Sequence, residues 1–564
     1  QRQMCIRDRN VAGRVRIDNT HSEYEGKLYA SSSNTLTDGS SQGHYTVNNG
    51  QYSQTYADVL VNINKRIQDF TIVANIGASY SGVTSKELGY AGPIRETGIP
   101  NLFNVYDLDN AKKRATQVGW REATESIFTS AEVGWKSMLY LTVTGRNDWA
   151  SQLTHSPQAS FFYPSVGLSA VITEMLKLPD WVDYLKVRGS FSSVGNPYPR
   201  FLTYPTYSYD ANKQDWKSQT NYPIGKLYPE RTDSWEVGLD ATLFKDFKLS
   251  GSFYYANTYN QTFDPRLPVS SGYDKLYVQT GYVRNYGFEA MLSYGHRWGD
   301  FGWDSSFTFS ANKNEIVELV KDYVHPETGK TYNVDKLELK TDEGRGFGKA
   351  KFILKEGGTL GDLYTHADLK RDINGNILID DSGNVTAIDN AGDIKLGSVL
   401  PKANLAWNNS FSYKGINAGF LLTARLGGIV YSATQAYLDL YGVSETSAAA
   451  RDAGGVWING RSHVNPQSFY EVVASQSGLP TYYTYSATNL RLQEAHIGYT
   501  VPRRWLGNVC DINVSLVGRN LWMIYCKAPF DPEAVATTNN YYQGIDYFMM
   551  PSTRNIGFNI KINF

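Results

Sequence analysis

Two glycine-containing stretches carry residue types that could do chemistry. Residues 39–43 (GSSQG) fit the nucleophile-elbow pattern around Ser41, but the polar segment SSSNTLTD precedes them where that motif needs an apolar strand. Residues 344–349 (GRGFGK) resemble a phosphate-binding loop, yet their glycine spacing is wrong for one. The histidines show no pair at metal-ligand spacing. We therefore expect no catalytic residue, no metal and no cofactor, and predict that the protein is not an enzyme.

A third stretch, residues 371–384 (RDINGNILIDDSGN), offers oxygen atoms that could bind calcium. An EF-hand loop needs glycine at its sixth position and glutamate at its twelfth, whereas Gly375 is the fourth residue counted from Asp372 and no glutamate follows at the twelfth. The remaining candidate ligands are Asn374, Asn376, Asp380 and Asp381. A hairpin with turns at NG and SG explains the stretch better than a calcium site does.

Aromatic residues cluster in three further segments, each with the composition of a loop. Flat rings give the faces of sugars a large apolar contact, and neighbouring amide groups can bond to hydroxyls. The predicted ligand-binding residues are Tyr204, Tyr207, Tyr209, Trp216, Tyr222, Tyr482, Tyr483, Tyr485, Asn539, Asn540, Tyr541 and Tyr542. The alternative is that these rings pack loop against loop, or against a partner protein.

The elements that must position these loops are strands with two unlike faces. The chain ends on NIGFNIKINF, in which apolar residues alternate with Asn559, Lys561 and Asn563. A period of two places successive side chains on opposite faces of a strand, so one face meets apolar surroundings. SWEVGLDATLF (234–244) and WDSSFTFSAN (303–312) repeat the pattern with one apolar and one polar face.

About sixteen such segments follow one another along the chain. We predict strands at 10–18, 54–66, 69–81, 121–135, 138–147, 160–174, 183–194, 232–244, 247–260, 285–298, 302–316, 400–413, 416–430, 487–501, 509–525 and 553–564. The connections alternate between turns of a few residues and loops of tens of residues. Short periplasmic turns and long extracellular loops are the pattern of an outer-membrane barrel.

The composition agrees with this interpretation. Aromatic residues make up 14% of the 564 residues, with 41 Tyr and 50 Gly, whereas only 41% of the chain is hydrophobic. The net charge of −1 gives no electrostatic footprint for nucleic acid, and no apolar run approaches the roughly 18 residues of a spanning helix. The predicted fold class is therefore all-β, a transmembrane antiparallel barrel whose apolar faces contact lipid of a Gram-negative outer membrane.

Seven segments, in this order, resemble SusC/RagA-type TonB-dependent outer-membrane transporters. They are RNDWASQL, FFYPSVGLSAVITE, LKVRGSFSSVGNP, GSVLPKANLAWNNSFSYKGINAGFLLTARLGG, NLRLQEAHIGYTVPRRWL, VSLVGRNLWMIYCKAPFDPEAV and MMPSTRNIGFNIKINF. Each motif is weak alone, but their order and spacing match the family from about residue 10 to the end. Ala150 departs from the family, which usually carries a second serine there.

The resemblance implies a barrel of about 22 strands, plugged by an N-terminal domain. It also implies energy from the inner-membrane TonB complex and a SusD-type surface lipoprotein that helps to capture oligosaccharides or peptides. This chain shows only about sixteen strands and no plug, so we expect residues 10–564 to be the C-terminal part of such a barrel. Residues 1–9 (QRQMCIRDR) resemble a translated sequencing-adapter tail, and we expect them to be non-native.

The last strand carries a further predicted function. A C-terminal phenylalanine on an alternating strand resembles the signal that the barrel-assembly machinery recognises. The residues concerned are Phe558, Ile560, Ile562 and Phe564. The alternative is that they contact lipid only.

Import of oligosaccharides or other oligomeric nutrients is thus the predicted function. Two alternatives remain open at the level of the sequence. A passive porin-like channel of about sixteen strands would account for the strand pattern alone. A secreted, β-rich, glycan-active enzyme would need paired carboxylates at a cleft, and the sequence suggests no such pair.

Overall fold

The computed structural model shows a protein built almost entirely of strands. It describes residues 2–6, 9–202, 207–210, 215–217, 221–222, 227–263, 275–276, 278–324, 331–339, 349–460, 462–507, 509–536 and 543–563.

Within the described residues, the main sheet has 17 strands, namely the short strand Arg2–Ile6 and 16 long strands. The long strands are β1 (Arg9–Leu28), β2 (His44–Ile67), β3 (Phe70–Pro93), β4 (Arg114–Trp135), β5 (Leu139–Ala150), β6 (Ser160–Val171), β7 (Val182–Asn196), β8 (Glu230–Leu243), β9 (Phe247–Phe263), β10 (Val278–Trp298), β11 (Phe301–Glu318), β12 (Ala403–Tyr413), β13 (Ile416–Leu426), β14 (Asn489–Val501), β15 (Asp511–Cys526) and β16 (Asn555–Asn563). Every predicted strand is present, so the all-β prediction is confirmed.

The strands pair antiparallel with their neighbours along the chain, for example β2 with β3 and β15 with β16. Several strands are longer than predicted, and β2 begins at His44 rather than at residue 54. Its first residues, HYTVNNGQYS, lack strict alternation, because both faces of this part lie beyond the apolar band described below. Alternation reports two unlike environments and cannot detect a strand that lacks them.

The chain divides into two compact units. The first contains residues 1–168, 191–232 and 267–279, and the second contains residues 169–190, 233–266 and 280–564.

The outward face of the first unit carries an apolar band between two rows of residues. Cross-strand register aligns Ile67 with Phe70 and Phe70 with Trp135 at the short turns. Ten residues before Ile67 on β2, and so farther from the short turns, Ala57 lies opposite Tyr80. Ten residues at about 3.3 Å each, on strands tilted by roughly 40°, rise about 25 Å, which is the height of the lipid-facing band of a barrel.

The second unit has a continuous series of ring contacts near its short turns. Ring centroids lie 4.7 Å apart for Phe247 and Tyr294, 5.2 Å for Tyr294 and Trp303, and 6.4 Å for Trp303 and Phe411. Tryptophan and tyrosine favour the membrane–water boundary because their rings are apolar and their N–H and O–H groups are polar. These rings are therefore an interfacial girdle.

The hydrophobic core of the second unit lies in its long loops. One cluster contains Phe352, Leu363, Tyr431 and Ile545, which are all at 0% exposure and come from three different loops. The strands instead leave large apolar side chains exposed, such as Val237 at 60%. In a soluble protein this distribution would be costly, whereas in a bilayer the lipid covers the strands and only the loops must fold against themselves.

Among the residues that the structure describes, the loops of the second unit contain several helices and short strands. The helices are α2 (Ala433–Leu440), α3 (Glu445–Asp452), α4 (Pro466–Val473) and α5 (Pro480–Tyr483), preceded in the chain by α1 (Ile172–Met175) between β6 and β7. The short strands are Val320–Val324, Thr331–Val334, Lys336–Leu339, Lys351–Lys355, Asp362–Thr365, Asp368–Leu369, Ala387–Ile388, Ile394–Ser398, Ile429–Ser432, Val456–Ile458, Ser462–Val464, Thr484–Ser486 and Ile545–Asp546. In the described part of the chain, none of the helices has the length and apolar character needed to cross a membrane.

The first unit also contains four further short strands among its described residues. They are the strands Ser208–Asp210, Asp215–Lys217, Asn221–Tyr222 and Lys275–Leu276. Residues 1–9, predicted to be a non-native tail, include the strand Arg2–Ile6, which pairs with residues 9–13 of β1. The pairing does not test where those residues come from, so the tail stays a prediction.

A charge in the middle of the apolar band should destabilise the protein. Ile76 is 53% exposed and faces outward near the midplane, so Ile76→Lys should cost about 2–4 kcal/mol of unfolding free energy. The measurement is urea unfolding of the protein in lipid vesicles. Asn62→Lys is the control, because Asn62 lies on the opposite face at the same height, directly across from Asn75. Equal destabilisation by both substitutions would contradict the assignment of the lipid-facing side.

Candidate substrate site

A cavity of about 800 Å³ lies against the polar face of the second unit's strands. Its wall includes Glu289, Thr308, Asn404, Arg425 and Asn489, contributed by β10 to β14. These residues face the cavity because they alternate with apolar residues on the outward face, as Glu289 does with Phe288. Hydroxyl, amide and charged groups therefore converge from several adjacent strands, which is the arrangement that a hydrophilic ligand needs.

One of the two arginines of this wall is neutralised by carboxylates. Arg188 Nη1 donates to Asp240 Oδ2 at 2.8 Å, and its Nη2 donates to Glu236 Oε1 at 3.3 Å. Ser250 Oγ donates to the other oxygen of Asp240 at 2.7 Å. The network fixes the Arg188 side chain and leaves it little capacity for another anion.

The second arginine of the wall, Arg425, is different. Its Nη2 donates to the backbone oxygen of Val399 at 2.7 Å, which orients the guanidinium. Among the residues that the structure describes, no salt bridge joins it to a carboxylate, although the charge of Glu533 acts on it from a distance, and its Nε has no hydrogen-bond partner. Arg425 thus carries a charge and donors that a ligand with acceptor oxygens could use.

A buried ion pair holds one loop against the cavity. Arg491 donates to both oxygens of Asp531, at 2.8 and 3.1 Å, and lies 3.1 Å from Glu533, a residue of the cavity wall. Burial alone would raise the pKa of Asp531, but the hydrogen bonds from Arg491 and from the Glu533 backbone hold that pKa below its usual range. This bidentate ion pair fixes the position of Glu533.

Sequence reasoning missed these cavity residues. Arg188, Glu289 and Arg425 each occupy a polar position of an alternating strand, so their inward direction could be read from the sequence. Their convergence could not, because it depends on which strands are neighbours and at what register.

The tyrosines predicted at 482, 483 and 485 lie in the folded loop core. Tyr483 is 2% exposed, and its hydroxyl donates to Asp439 Oδ2 at 3.0 Å. Burial, and then the Asp439 charge, raise the pKa of Tyr483. Burial also raises the pKa of Tyr485 to about 12, and its ring meets the Phe530 ring edge-on at 5.6 Å. Tyr482 packs against Phe469, so these three rings make loop contacts, and ligand contact by them stays a prediction.

Asp439 organises this loop. One of its oxygens accepts hydrogen bonds from Gln435, Ser444 and Thr446, while the other accepts from Tyr483. The carboxylate is 5% exposed and joins α2, α3 and α5. Four donors around one buried carboxylate offset the cost of burying its charge.

The aromatic residues predicted near residue 210 are exposed in the first unit. Tyr207, Tyr209 and Trp216 are 66%, 53% and 65% exposed, and the rings of Tyr209 and Trp216 meet edge-on at 5.3 Å. Tyr222 lies in the strand Asn221–Tyr222. Tyr204, Asn539, Asn540, Tyr541 and Tyr542 lie outside the described residues, and the site prediction for the whole set stays untested.

The segment 371–384 forms two similar turns. The Asp372 carboxylate accepts from the side-chain amide of Asn376 at 3.1 Å and from the backbone N–H groups of Asn376 and Asn374, both at 2.8 Å, and these bonds lower its pKa. Asp380 repeats the arrangement with Ser382 and Asn384. Gly375 and Gly383 take φ values of 84° and 79°, a conformation that glycine adopts without strain. Within the described residues, no group of three or more His, Cys, Asp or Glu is arranged to hold a metal ion.

The last strand presents its apolar residues outward. Phe558, Ile560 and Ile562 are 77%, 54% and 49% exposed, and they lie opposite Leu516, Val514 and Ile512 of β15. Phe564 lies outside the described residues. All nine residues of this strand are exposed, so their exposure does not distinguish an assembly signal from lipid contact, and the signal stays a prediction.

Comparison with known proteins agrees with this architecture. The family model described as "TonB dependent receptor-like, beta-barrel" matches residues 7–521. "TonB-dependent receptor P3" of Formosa agariphila is 24% identical over 524 residues, which cover 86% of this chain and 50% of that protein. "TonB-dependent receptor SusC" of Bacteroides thetaiotaomicron is 24% identical over 433 residues, covering 70% of this chain and 40% of that protein.

Among solved structures, the RagAB peptide transporter has a TM-score of 0.76 with 18% sequence identity. The aligned region covers 100% of this chain and 61% of the RagAB chain. The RagAB peptide importer in its closed-closed state has a TM-score of 0.75 with 17% identity, and the aligned region again covers 61% of the RagAB chain. At these identities the likeness shows the fold. The chain spans about half the length of the curated relatives that it matches.

The family consists of transporters and receptors of the outer membrane, which places this chain there and sets the secreted-enzyme alternative aside. Given a family match that spans most of its length, the two-faced strands and the polar inner cavity, the chain belongs to the TonB-dependent receptor β-barrel family.

Proposed function

We propose that the protein takes part in TonB-dependent active import of oligosaccharides, or of other oligomeric nutrients, across the outer membrane. The observation that carries the proposal is the match of residues 7–521 to the TonB-dependent receptor barrel. The relative named SusC supports the narrower class of transporter, as do the seven ordered motifs.

The cavity supports a polar, extended ligand. Thr308, Asn404 and Asn489 supply hydroxyl and amide groups that suit sugar hydroxyls or peptide groups, and Arg425 supplies unpaired donors. In this proposal the exposed rings of Tyr207, Tyr209 and Trp216 contact the ligand outside the membrane, and the polar face of the strands provides the route inward. The buried Tyr483 acts by holding the loops in shape.

The proposal includes three protein partners. A SusD-type surface lipoprotein would help to capture the ligand, the TonB complex would supply energy through parts that precede these strands, and the barrel-assembly machinery would insert the protein into the membrane. Peptides are the second ligand class, because the RagAB structures are those of a peptide importer.

Uptake by cells that carry the whole gene tests the function. We expect uptake of a fluorescent oligosaccharide or oligopeptide to need this gene and to stop when a protonophore collapses the energy that TonB uses. Loss of tonB should have the same effect. Uptake that continues without energy would support the passive-channel alternative instead, and single-channel conductance of the purified protein would then be high.

Substitution of Arg425 should raise the ligand concentration at which uptake is half-saturated. Arg425→Gln removes the charge but keeps a donor for Val399, so we expect about a tenfold higher half-saturating ligand concentration, as the loss of a charge-assisted hydrogen bond implies. Arg519→Gln is the control, because Arg519 is exposed and paired with Glu494. Equal uptake curves for both variants and the wild type would remove Arg425 from the site.

Substitution in the last strand should reduce assembly. Phe558→Ala combined with Phe564→Ala should lower the amount of protein in the outer membrane severalfold, if the assembly machinery reads these residues. Immunoblots of membrane fractions measure the amount, and Asn559→Ala is the control on the same strand. If the double variant reaches the membrane at the wild-type level, these residues contact lipid only.

A further inference from the structure

The cavity of the second unit contains a row of side chains that strand register aligns across four strands. Glu289 of β10 lies opposite Ser310 of β11, Ser310 opposite Asn404 of β12, and Asn404 opposite Arg425 of β13. Directly opposite residues of antiparallel strands share one face, and all four side chains line the cavity. The row therefore has a carboxylate at one end, a guanidinium at the other, and a hydroxyl and an amide between them.

The two ends of the row differ from the other charges of the cavity. Among the described residues that form the wall, four are charged: Arg188, Glu289, Arg425 and Glu533. Two carboxylates of β8 neutralise Arg188, and Arg491 lies 3.1 Å from Glu533. Within the described ranges, Glu289 forms neither a hydrogen bond nor an ion pair, and Arg425 forms no ion pair. The row thus ends on two charges of opposite sign that are both free to bind a ligand.

Glu289 and Arg425 do not neutralise each other. Neighbouring strands lie about 4.8 Å apart, so three steps along the row separate the backbones of these two residues by about 14 Å. The hydrogen bond from Arg425 Nη2 to the backbone oxygen of Val399 orients the guanidinium at its own end of the row. A single ligand that pairs with both charges must therefore carry a positive and a negative group that are well separated.

A second row lies one step closer to the short turns and is chemically mixed. Met291 lies opposite Thr308, Thr308 opposite Ala406, and Ala406 opposite Thr423. All four residues line the same cavity. A flexible thioether, a methyl group and two hydroxyls can accept either apolar or polar groups, so this row discriminates little between ligand side chains.

The two rows together suit a short peptide with free ends. An extended chain advances about 3.5 Å per residue, so about four residues span about 14 Å. Carboxylates bind arginine through two parallel hydrogen bonds, and an ammonium group would pair with Glu289. A neutral oligosaccharide would leave both charges unpaired, and a polyanionic one would place negative charge against Glu289. A zwitterion leaves neither charge unpaired.

We infer that this row binds the two ends of a peptide of about four residues, with the N-terminal ammonium at Glu289 and the C-terminal carboxylate at Arg425. Ser310 and Asn404 bond to the peptide groups between the ends, and the mixed second row accepts different side chains. The inference rests on the proposed function and narrows it to one class of nutrient.

Calorimetric titration tests the inference on the protein purified in detergent from cells that carry the whole gene. The probes are tetra-alanine with free ends, its N-acetylated form, its C-amidated form, and di-alanine. We expect N-acetylation to weaken binding about threefold, the order of an exposed ion pair, and C-amidation about tenfold, the order of a charge-assisted hydrogen bond. Di-alanine spans only about 7 Å and reaches one end of the row, so it should bind no more tightly than the N-acetylated tetrapeptide.

Two substitutions assign the two ends separately. Glu289→Gln should remove the effect of N-acetylation and leave that of C-amidation, whereas Arg425→Gln should do the reverse. The matched controls are Glu132→Gln, at an exposed carboxylate of the first unit, and Arg519→Gln, at an exposed arginine paired with Glu494. Both controls should keep the wild-type pattern. Heat-dependent gel mobility shows that each variant is folded.

Three results would overturn the inference. Equal binding of free and capped tetra-alanine by the wild type would remove the end groups from recognition, and cap effects that survive both substitutions would place the ends elsewhere. Tighter binding of maltotetraose than of tetra-alanine would assign the cavity to neutral sugars. Binding to the purified protein needs no energy, so a loss of energy-dependent uptake would contradict the proposed function and leave these binding results unchanged.

Discussion

Pairing of backbone hydrogen-bond groups between neighbouring strands is the constraint on which the rest of this structure depends. Within a bilayer no water is present to satisfy an N–H or C=O group, so each strand must take its partners from the next one. Long antiparallel strands such as β2 and β3, paired from His44 opposite Pro93 to Ile67 opposite Phe70, meet this requirement without a break. The two faces of such strands then determine where the apolar residues and the polar residues of the strands lie.

The outward face replaces a hydrophobic core with lipid. Val59, Ile76 and Ile127 are more than half exposed, yet they lie in one band bordered by aromatic rings. The loops cannot use lipid in this way, so they pack a core of their own, with Phe352 and Tyr431 fully buried and Asp439 at the centre of a hydrogen-bond network. The protein thus uses two different apolar environments: lipid covers the outward face of the strands, and a packed core fills the loops.

Charges on the polar face of the strands are mostly paired. On the polar face most arginines have carboxylate partners, as Arg188 has in Asp240 and Arg491 has in Asp531. Arg425 on that face is an exception, since within the described residues no ion pair joins it to a carboxylate and its Nε lacks a hydrogen-bond partner. An unpaired charge in a partly enclosed place costs free energy, and the cost is offset when a ligand supplies the partner. Arg425 is therefore a residue of the cavity wall to which we assign a ligand.

The sequence by itself determined the long strands of the main sheet, their two faces and the separation of short turns from long loops. It could do so because alternation with a period of two is a local property, visible in SWEVGLDATLF without any knowledge of neighbours. The ordered motifs likewise identified the family, because their order and spacing along the chain can be read without knowledge of the fold.

Only the tertiary structure decided which loop tyrosines are buried and which polar residues meet. Tyr483 and Trp216 look alike in sequence, since each lies in an aromatic loop, but Tyr483 is enclosed by α2 and Asp439 while Trp216 is exposed. The convergence of Arg425, Asn404 and Glu289 depends on strand register. Register is set by pairing between segments far apart in the chain, and a single strand carries no record of it.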